Sequence, residues 1–325
     1  MKQKKIGIIG AGWIAAKMAQ TLTGLDPEMK YAVASRSLEK AKQFAAQWGF
    51  KKAYGSYQEL VDDPDVDLVY IATPHSHHFD NASTAINAGK PVLCEKAFTA
   101  NARQADALLN LAHKKGVFIT EAIWTRYMPL SLQVKEVLDS GIIGQPRIIN
   151  ASLCYMMEFK ERILRPELCG GALLDLGVYC INFARMYFGA DVVRQTTNCV
   201  KSATGMDMHD AICWTYGDGR VANLQTSALC LCGRAGQICG TEGYILVDNV
   251  NCPQNFTVYK DYQPAATYEK PAGQITGYEY QVTASFDAIS EGLIESPYMP
   301  HQETLDIMKL MDSLRSEWGV VYPMD

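Results

Sequence analysis

The sequence predicts an α/β protein with two sheets, a parallel one covered by helices and then a mostly antiparallel one. Three observations predict it. Over roughly the first 120 residues, short apolar runs alternate with amphipathic segments. A glycine turn, Gly10-Ala11-Gly12-Trp13-Ile14-Ala15, joins the first apolar run to the first helical one. After about residue 122 the alternation gives way to successive strand-like runs separated by turn signals.

In the first region, Ile6–Ile9 reads as a buried strand and Ala15–Leu22 as a helix. Tyr31–Ser35 is a second strand. Glu39–Trp48 is a helix, with Ala41, Phe44, Ala45 and Trp48 on about one face. Ala53-Tyr54 is a short third strand, followed by a helix around Tyr57–Val61. Val66–Ala72, Pro91–Cys94 and Phe118–Thr120 read as strands, with helices His78–Ala88 and Ala102–Lys114 between them. Alternation at this spacing needs a parallel sheet covered on both faces, joined by right-handed crossovers.

The second region opens with a helix near Leu130–Asp139. The strand-like runs are Arg147–Tyr155, Val192–Lys201, Asp210–Thr215, Arg220–Leu229, Gln237–Cys239, Tyr244–Asp248 and Phe256–Lys260. Gly217-Asp218-Gly219 suits a hairpin. A helical stretch, Gly170–Tyr187, interrupts the strands. Two helices, Tyr278–Gly292 and His301–Trp318, close the chain, separated by Ser296-Pro297 and Met299-Pro300. The domains expected are 1–122 and 123–325, with the active site between them.

Composition sets limits. The 325 residues are 48% hydrophobic and 20% charged, which is globular. Thirty Lys and Arg against 35 Asp and Glu give net −5. That balance offers no bulk attraction to nucleic acid or an anionic membrane. Met1–Lys5 is basic, but Ile6–Ile9 is too short for a secretory core, and no run approaches the roughly 18 apolar residues of a membrane span. The expected location is cytoplasmic. The ten cysteines are scattered without a Cys-x-x-Cys pair, so they read as reduced packing residues.

The glycine turn follows a buried strand and opens a helix, the context a dinucleotide fingerprint requires. Gly10 allows the tight turn. Gly12 lets a pyrophosphate approach the backbone, and the helix start at Trp13 and Ile14 presents N–H groups to it. Ala15 permits close helix–strand packing. A Rossmann domain follows. The second strand ends Ala34-Ser35-Arg36-Ser37, with no acid until Glu39. NAD sites place an acid there. Arg36 with Ser35 instead suits a 2′-phosphate, so the expected coenzyme is NADP(H), with NAD possible if Arg36 stacks on adenine. Thr73-Pro74-His75-Ser76-His77-His78 follows the fourth strand, at the ligand-binding edge. Its histidines are poorly spaced for a metal, and none is expected.

Glu95-Lys96 ends another strand at the same edge. A lysine there can hydrogen-bond a substrate oxygen or lower a neighbouring group's pKa. Gly170-Gly171 leads into a helix on which Asp175 and Tyr179, four residues apart, share a face.

In this order the motifs resemble the Gfo/Idh/MocA oxidoreductase family across nearly the whole chain. Gly240-Thr241-Glu242-Gly243 and Met299-Pro300 fit the same pattern. Glu121-Ala122-Ile123-Trp124-Thr125-Arg126-Tyr127, with tyrosine at 179, looks most like the dimeric dihydrodiol dehydrogenase / NADP-dependent D-xylose dehydrogenase branch. One departure is Ala97, where the family usually has proline. The resemblance implies a Rossmann domain followed by an α/β domain whose open, mostly antiparallel sheet forms the subunit contact of a homodimer or homotetramer. It implies that Lys96 is the catalytic lysine, that Tyr179 is the acid–base with Asp175 nearby, and that Trp124 and Arg126 line the coenzyme and substrate pocket.

The expected coenzyme set is thus Gly10, Gly12, Trp13, Ile14, Ser35, Arg36, Thr73, Pro74, His75, His78, Glu95, Lys96, Trp124 and Arg126. The expected substrate set is Lys96, Trp124, Asp175 and Tyr179, with Tyr127, Tyr155 and Arg162 as further lining. The expected reaction is reversible hydride transfer between NADP(H) and a secondary alcohol or hemiacetal carbon of a sugar, polyol or trans-dihydrodiol. The rivals are a nonenzymatic NADP(H) sensor and a glycosidase that retains its coenzyme.

Overall fold

The structure, a computed structural model, describes residues 3–325. It comprises two compact units. One holds residues 3–123, Ile275–Lys309 and Met324, and the other Trp124–Gln274, Leu310–Pro323 and Asp325. The expected contiguous division at 122/123 is therefore corrected. The first unit does end near there, but the chain returns to it at Ile275, where the Thr276 and Thr21 hydroxyls meet at 2.7 Å.

In the first unit the elements are β1 (Ile6–Ile9), α1 (Trp13–Leu25), β2 (Lys30–Ala34), α2 (Leu38–Trp48), β3 (Lys52–Tyr54), α3 (Tyr57–Asp62), β4 (Leu68–Ile71), α4 (His78–Asn87), β5 (Val92–Glu95), α5 (Ala102–Lys115) and β6 (Ile119–Ala122). Local capping signals set several of the helix ends, while α1 runs two residues earlier and three later than the expected Ala15–Leu22. Ser56 and Glu59 form a reciprocal cap on α3, and Asn101 accepts the Gln104 amide to open α5. Gly49 and Gly116 close α2 and α5 in the left-handed conformation.

The six strands pair in the order β3-β2-β1-β4-β5-β6, and every pairing is parallel. Five of them, β1, β2, β4, β5 and β6, are buried throughout, as a sheet covered on both faces requires. The order runs outward in both directions from β1 and β4, the switch point at which such sheets bind ligands. The register aligns their carboxyl ends, pairing Ile9 with Ala34 and Ile71, and Ile71 with Cys94.

The second unit contains α6 (Pro129–Asp139), β7 (Pro146–Cys154), α7 (Glu161–Leu164), α8 (Val178–Phe188), β8 (Val192–Lys201), β9 (Asp207–Tyr216), β10 (Val221–Ser227), β11 (Gly236–Gly240), β12 (Tyr244–Val247), β13 (Asn255–Lys260) and β14 (Gln263–Glu269). Helices α9 (Glu279–Ser290) and α10 (His301–Trp318) close the chain. The eight strands run β14-β13-β12-β11-β7-β10-β9-β8 and are antiparallel except at β7/β10. Helix α8 packs against β7 and β10. Gly236 on β11 admits it closely, since a Cβ there would lie 2.3 Å from the Phe183 ring.

Three expectations need correction here. Strand β14 falls outside the strand-like runs, because Gln263-Pro264-Ala265-Ala266 lacks the β-branched pattern that marks strands. The stretch expected to be one helix over Gly170–Tyr187 divides into a π-helical turn, Leu173–Gly177, and α8. Finally, the stretch Pro166–Phe188 is long and apolar enough by composition to span a membrane, yet 89% of its most apolar window is buried within the fold.

Candidate active site

In the first unit, the glycine turn lies between the ends of β1 and β4. Gly10 has φ +109°, and a Cβ there would sit 2.7 Å from the Ala72 carbonyl oxygen. Only glycine fits without strain. Its N–H donates to the Ala34 carbonyl at 2.9 Å, tying the turn to β2. Gly12 is different. It is the N-cap of α1, no side chain caps the helix there, and a Cβ would meet nothing within 4 Å. Room for close approach to uncapped helix N–H groups is what a pyrophosphate needs, so these residues fit a dinucleotide. Trp13, 71% exposed, extends from the first helical position, with Ile14 next to it.

At the end of β2, Ser35 is buried and Arg36 exposed, close enough to Tyr57 to act on its phenol. The Ser37 hydroxyl accepts the Lys40 amide at 3.3 Å and caps α2, which leaves Ser35 and Arg36 as the side chains on offer there.

The Thr73-Pro74 loop and the Glu95-Lys96 turn are joined by His78. Its ring is fully buried, with Nδ1 2.9 Å from the Ala97 carbonyl and Nε2 2.9 Å from the Thr73 carbonyl. Burial pushes this histidine down to about 4, so it is neutral near pH 7. His75 packs edge-on to it at 5.7 Å. Asn81 donates to the Thr73 hydroxyl at 3.0 Å. A neutral imidazole carries one N–H, so His78 donates to one of these two carbonyls and lies against the other, packed between the two loops.

Glu95 is buried and accepts from the Tyr70 hydroxyl and, at 3.3 Å, from the Lys96 amide. The Lys96–Ala97 peptide bond is cis. Phe98 N–H donates to Glu121 at 3.1 Å, which fixes the turn from beyond. Lys96 is half-buried at the strand end, and its charge acts on His78.

In the second unit, Trp124 and Arg126 lie on a single 3₁₀ turn, Trp124–Tyr127, and all four of its residues are buried. The Trp124 indole N–H donates to the Tyr179 phenol oxygen at 2.8 Å. Arg126 Nε donates to Asn182 Oδ1 at 2.5 Å, and Asn182 donates to the Val178 carbonyl at 2.7 Å. This brings Trp124, Arg126 and Tyr179 together along the first turns of α8. Asp175, 7% exposed, accepts from Arg162 at 2.8 Å. Tyr155 receives the Arg234 guanidinium at 3.2 Å.

Sequence reasoning missed Asn182 and Tyr70. Asn182 carries a signal that could have found it, being polar and three residues past Tyr179 on an apolar helix. Tyr70 carries none, since a strand tyrosine reads as core.

A glycine turn at a sheet switch point and an uncapped helix start define a dinucleotide-binding protein of the Rossmann type. Residues 4–122 match the family described as "Oxidoreductase family, NAD-binding Rossmann fold" of Gfo/Idh/MocA type. Residues 131–246 match the Gfo/Idh/MocA C-terminal domain. Trans-1,2-dihydrobenzene-1,2-diol dehydrogenase of Danio rerio is 33% identical, covering 98% of each chain. The Mus musculus enzyme of that name is 32% identical over the same shares. Among solved structures, the 3-ketoreductase KijD10 of Actinomadura kijaniata, in complex with TDP-benzene and NADP, superposes with TM-score 0.85 at 25% identity, covering 97% of this chain and 98% of its own. The chain belongs to the Gfo/Idh/MocA oxidoreductase family.

Proposed function

We propose that the chain transfers hydride reversibly between NADP(H) and a CH–OH carbon of a sugar, polyol or trans-dihydrodiol. The observation that carries the reading is the Tyr179 phenol, buried and held by the Trp124 indole N–H, in a chain whose coenzyme domain is of NAD-binding Rossmann type. The names of the relatives favour the substrate class, because they are dihydrodiol dehydrogenases along their whole length.

Bound nicotinamide supplies the hydride acceptor or donor. The protein handles the proton and the charge on oxygen. Tyr179 takes the alcohol proton, and the indole donor favours the phenol's negative form. Lys96 stabilises the developing alkoxide. Asp175, held by Arg162, orients substrate hydroxyls. Arg36 and Ser35 receive the 2′-phosphate, Gly12, Trp13 and Ile14 the pyrophosphate, and Thr73, Pro74 and His75 border the coenzyme. Net −5 is no obstacle, since helix N–H groups and Arg36 meet the phosphates locally.

Two finer expectations remain: a cytoplasmic location, read from sequence runs too short for a secretory core or a membrane span, and a homodimer or homotetramer through the C-terminal sheet, implied by the family resemblance. Sedimentation of the purified protein tests the second, and a monomer at all concentrations rejects it.

Tyr179→Phe should lower kcat by about 100-fold or more, and Lys96→Met similarly, with NADPH still binding. Reduced-coenzyme absorbance is followed over aldoses, inositols and trans-dihydrodiols. Near-normal turnover in Tyr179→Phe moves the proton elsewhere. Binding without turnover on any of these points to a sensor, and coenzyme that copurifies without net reduction points to a glycosidase.

A further inference from the structure

The Gly170-Gly171 turn has a partner that the hydride chemistry does not use. Asp207 and Asp210 lie on β9, and both are fully buried. Asp207 Oδ2 accepts the Leu173 amide at 2.5 Å, and the Ala172 amide also donates to this carboxyl. Gly171 lies against it. Its φ is +108°, and a Cβ would stand 2.1 Å from Asp207 Oδ1. Glycine is thus required so that the carboxylate can reach the amides that open the Leu173–Gly177 turn.

Asp210 Oδ2 accepts from the Thr226 hydroxyl at 3.0 Å. The other oxygen of each residue, Oδ1 of Asp207 and Oδ1 of Asp210, is buried without a donor. The two side chains interact directly. Two carboxylates both ionised here would repel in a low-dielectric interior. One proton between them satisfies both orphaned oxygens.

We propose that Asp207 and Asp210 share one proton and act as a positioning pair, in which Asp210 donates to Asp207 and the Asp207 carboxylate clamps the amides of the segment that carries Asp175 and leads into Tyr179. The proton belongs on Asp210. Burial and the neighbouring Asp207 charge hold its acid well above the ordinary carboxylate range. Burial raises Asp207 too, but its backbone donors pull the other way. The Cys199 thiol on β8 faces Asp210, and Lys201 acts on Cys199. Cys180 on α8 lies near Asp210, and Tyr322 lies near Asp207. The functional half of this inference rests on the hydride-transfer reading above.

Two variants test it. Asp210→Asn places an amide N–H where the acid's O–H stood and cannot ionise. In the wild type, the folded state keeps a proton that the unfolded chain gives up near pH 4. That contribution to stability is whole below about pH 4 and is lost as pH rises toward the folded-state pKa. Thermal melts of Asp210→Asn should lack this slope, so its Tm relative to wild type climbs with pH. Parallel slopes overturn the shared proton.

Asp207→Ala, without the clamp, should lose about tenfold to a hundredfold in kcat through misplacement of the acid–base group, while KM for NADPH stays within about twofold. Asp210→Asn should keep kcat within about threefold. A folded Asp207→Ala with wild-type kcat overturns the positioning role, and if that variant does not fold, the Asp210→Asn melts decide the pair alone. An active Tyr179→Phe sinks the hydride-transfer roles, while the melts still decide the shared proton independently.

Discussion

Arg36 stands where coenzyme choice is made. It is exposed, follows the last residue of β2 by two positions, and has no acidic neighbour in sequence until Glu39. A hydrogen bond to a charged group contributes about 1.5–3 kcal/mol, or roughly tenfold to 150-fold in affinity. Arg36→Ala should therefore raise KM for NADP+ by about that factor while KM for NAD+ changes little. A parallel loss with both coenzymes would assign Arg36 to adenine stacking instead. At this scale the sequence was informative wherever one side chain does one thing. Gly10, Arg36 and Lys96 are placed by the strands that precede them, and local pattern finds strands. It was uninformative wherever a role depends on a distant partner. Nothing near Asp207 or Asp210 in sequence says that both are buried, or that the amides they serve lie more than thirty residues back. His78 likewise reads as a loop residue facing coenzyme, yet its ring spans two carbonyls that only the folded chain brings together.

The elements carry a second lesson, because two glycines of one turn have opposite physical tasks. Gly10 is constrained by the protein itself, by a positive φ and the nearby Ala72 carbonyl. Gly12 has open space around it and φ −105°, which any residue adopts. Gly12→Val should then fold normally, within about 0.5 kcal/mol of wild type, and lose coenzyme affinity because the side chain fills the approach to the α1 amides. Gly10→Ala should cost about 1–3 kcal/mol of stability. Melting curves with and without NADPH separate the two, and a destabilised Gly12→Val would show that the turn needs glycine for folding as well. The helix-and-strand alternation was legible because most strands of the first sheet are short, largely apolar runs and its helices are amphipathic. The π-helical turn was not, since Leu173–Gly177 has the same apolar composition as the helix it precedes. What winds it differently is the set of contacts around it, Gly171 and Asp207 before it and Arg162 on Asp175.

At the scale of the whole molecule, a Rossmann domain read from sequence as residues 1–122 is incomplete. Its last strand, β6, takes a hydrogen bond from outside that range. The Ile119 N–H donates to the Ile294 carbonyl at 3.0 Å, and the Ile119 carbonyl lies 2.9 Å from His301 Nε2. Helix α9 packs against α1, bringing buried Val282 and Phe286 with it. Gly24 on α1 abuts the Ile275 side chain, where a Cβ would stand 2.6 Å away. Burying side chains of that size contributes about 1.5–3 kcal/mol each, against a total stability of about 5–15 kcal/mol for a domain. A fragment of residues 1–123 should consequently be much less stable than the first unit of the full chain, melting broadly at lower temperature and yielding to protease within α1 and β6. Adding residues 275–309 as a separate peptide should restore protection. Two-state melting of the 1–123 fragment near the full chain's Tm would show that the returning helices decorate a finished domain. The sequence could not have announced this arrangement, because Tyr278–Gly292 and His301–Trp318 are ordinary amphipathic patterns that name no partner. Only the folded chain shows their places, α9 against α1 and the first residue of α10 at β6, where the His301 ring meets the Ile119 carbonyl.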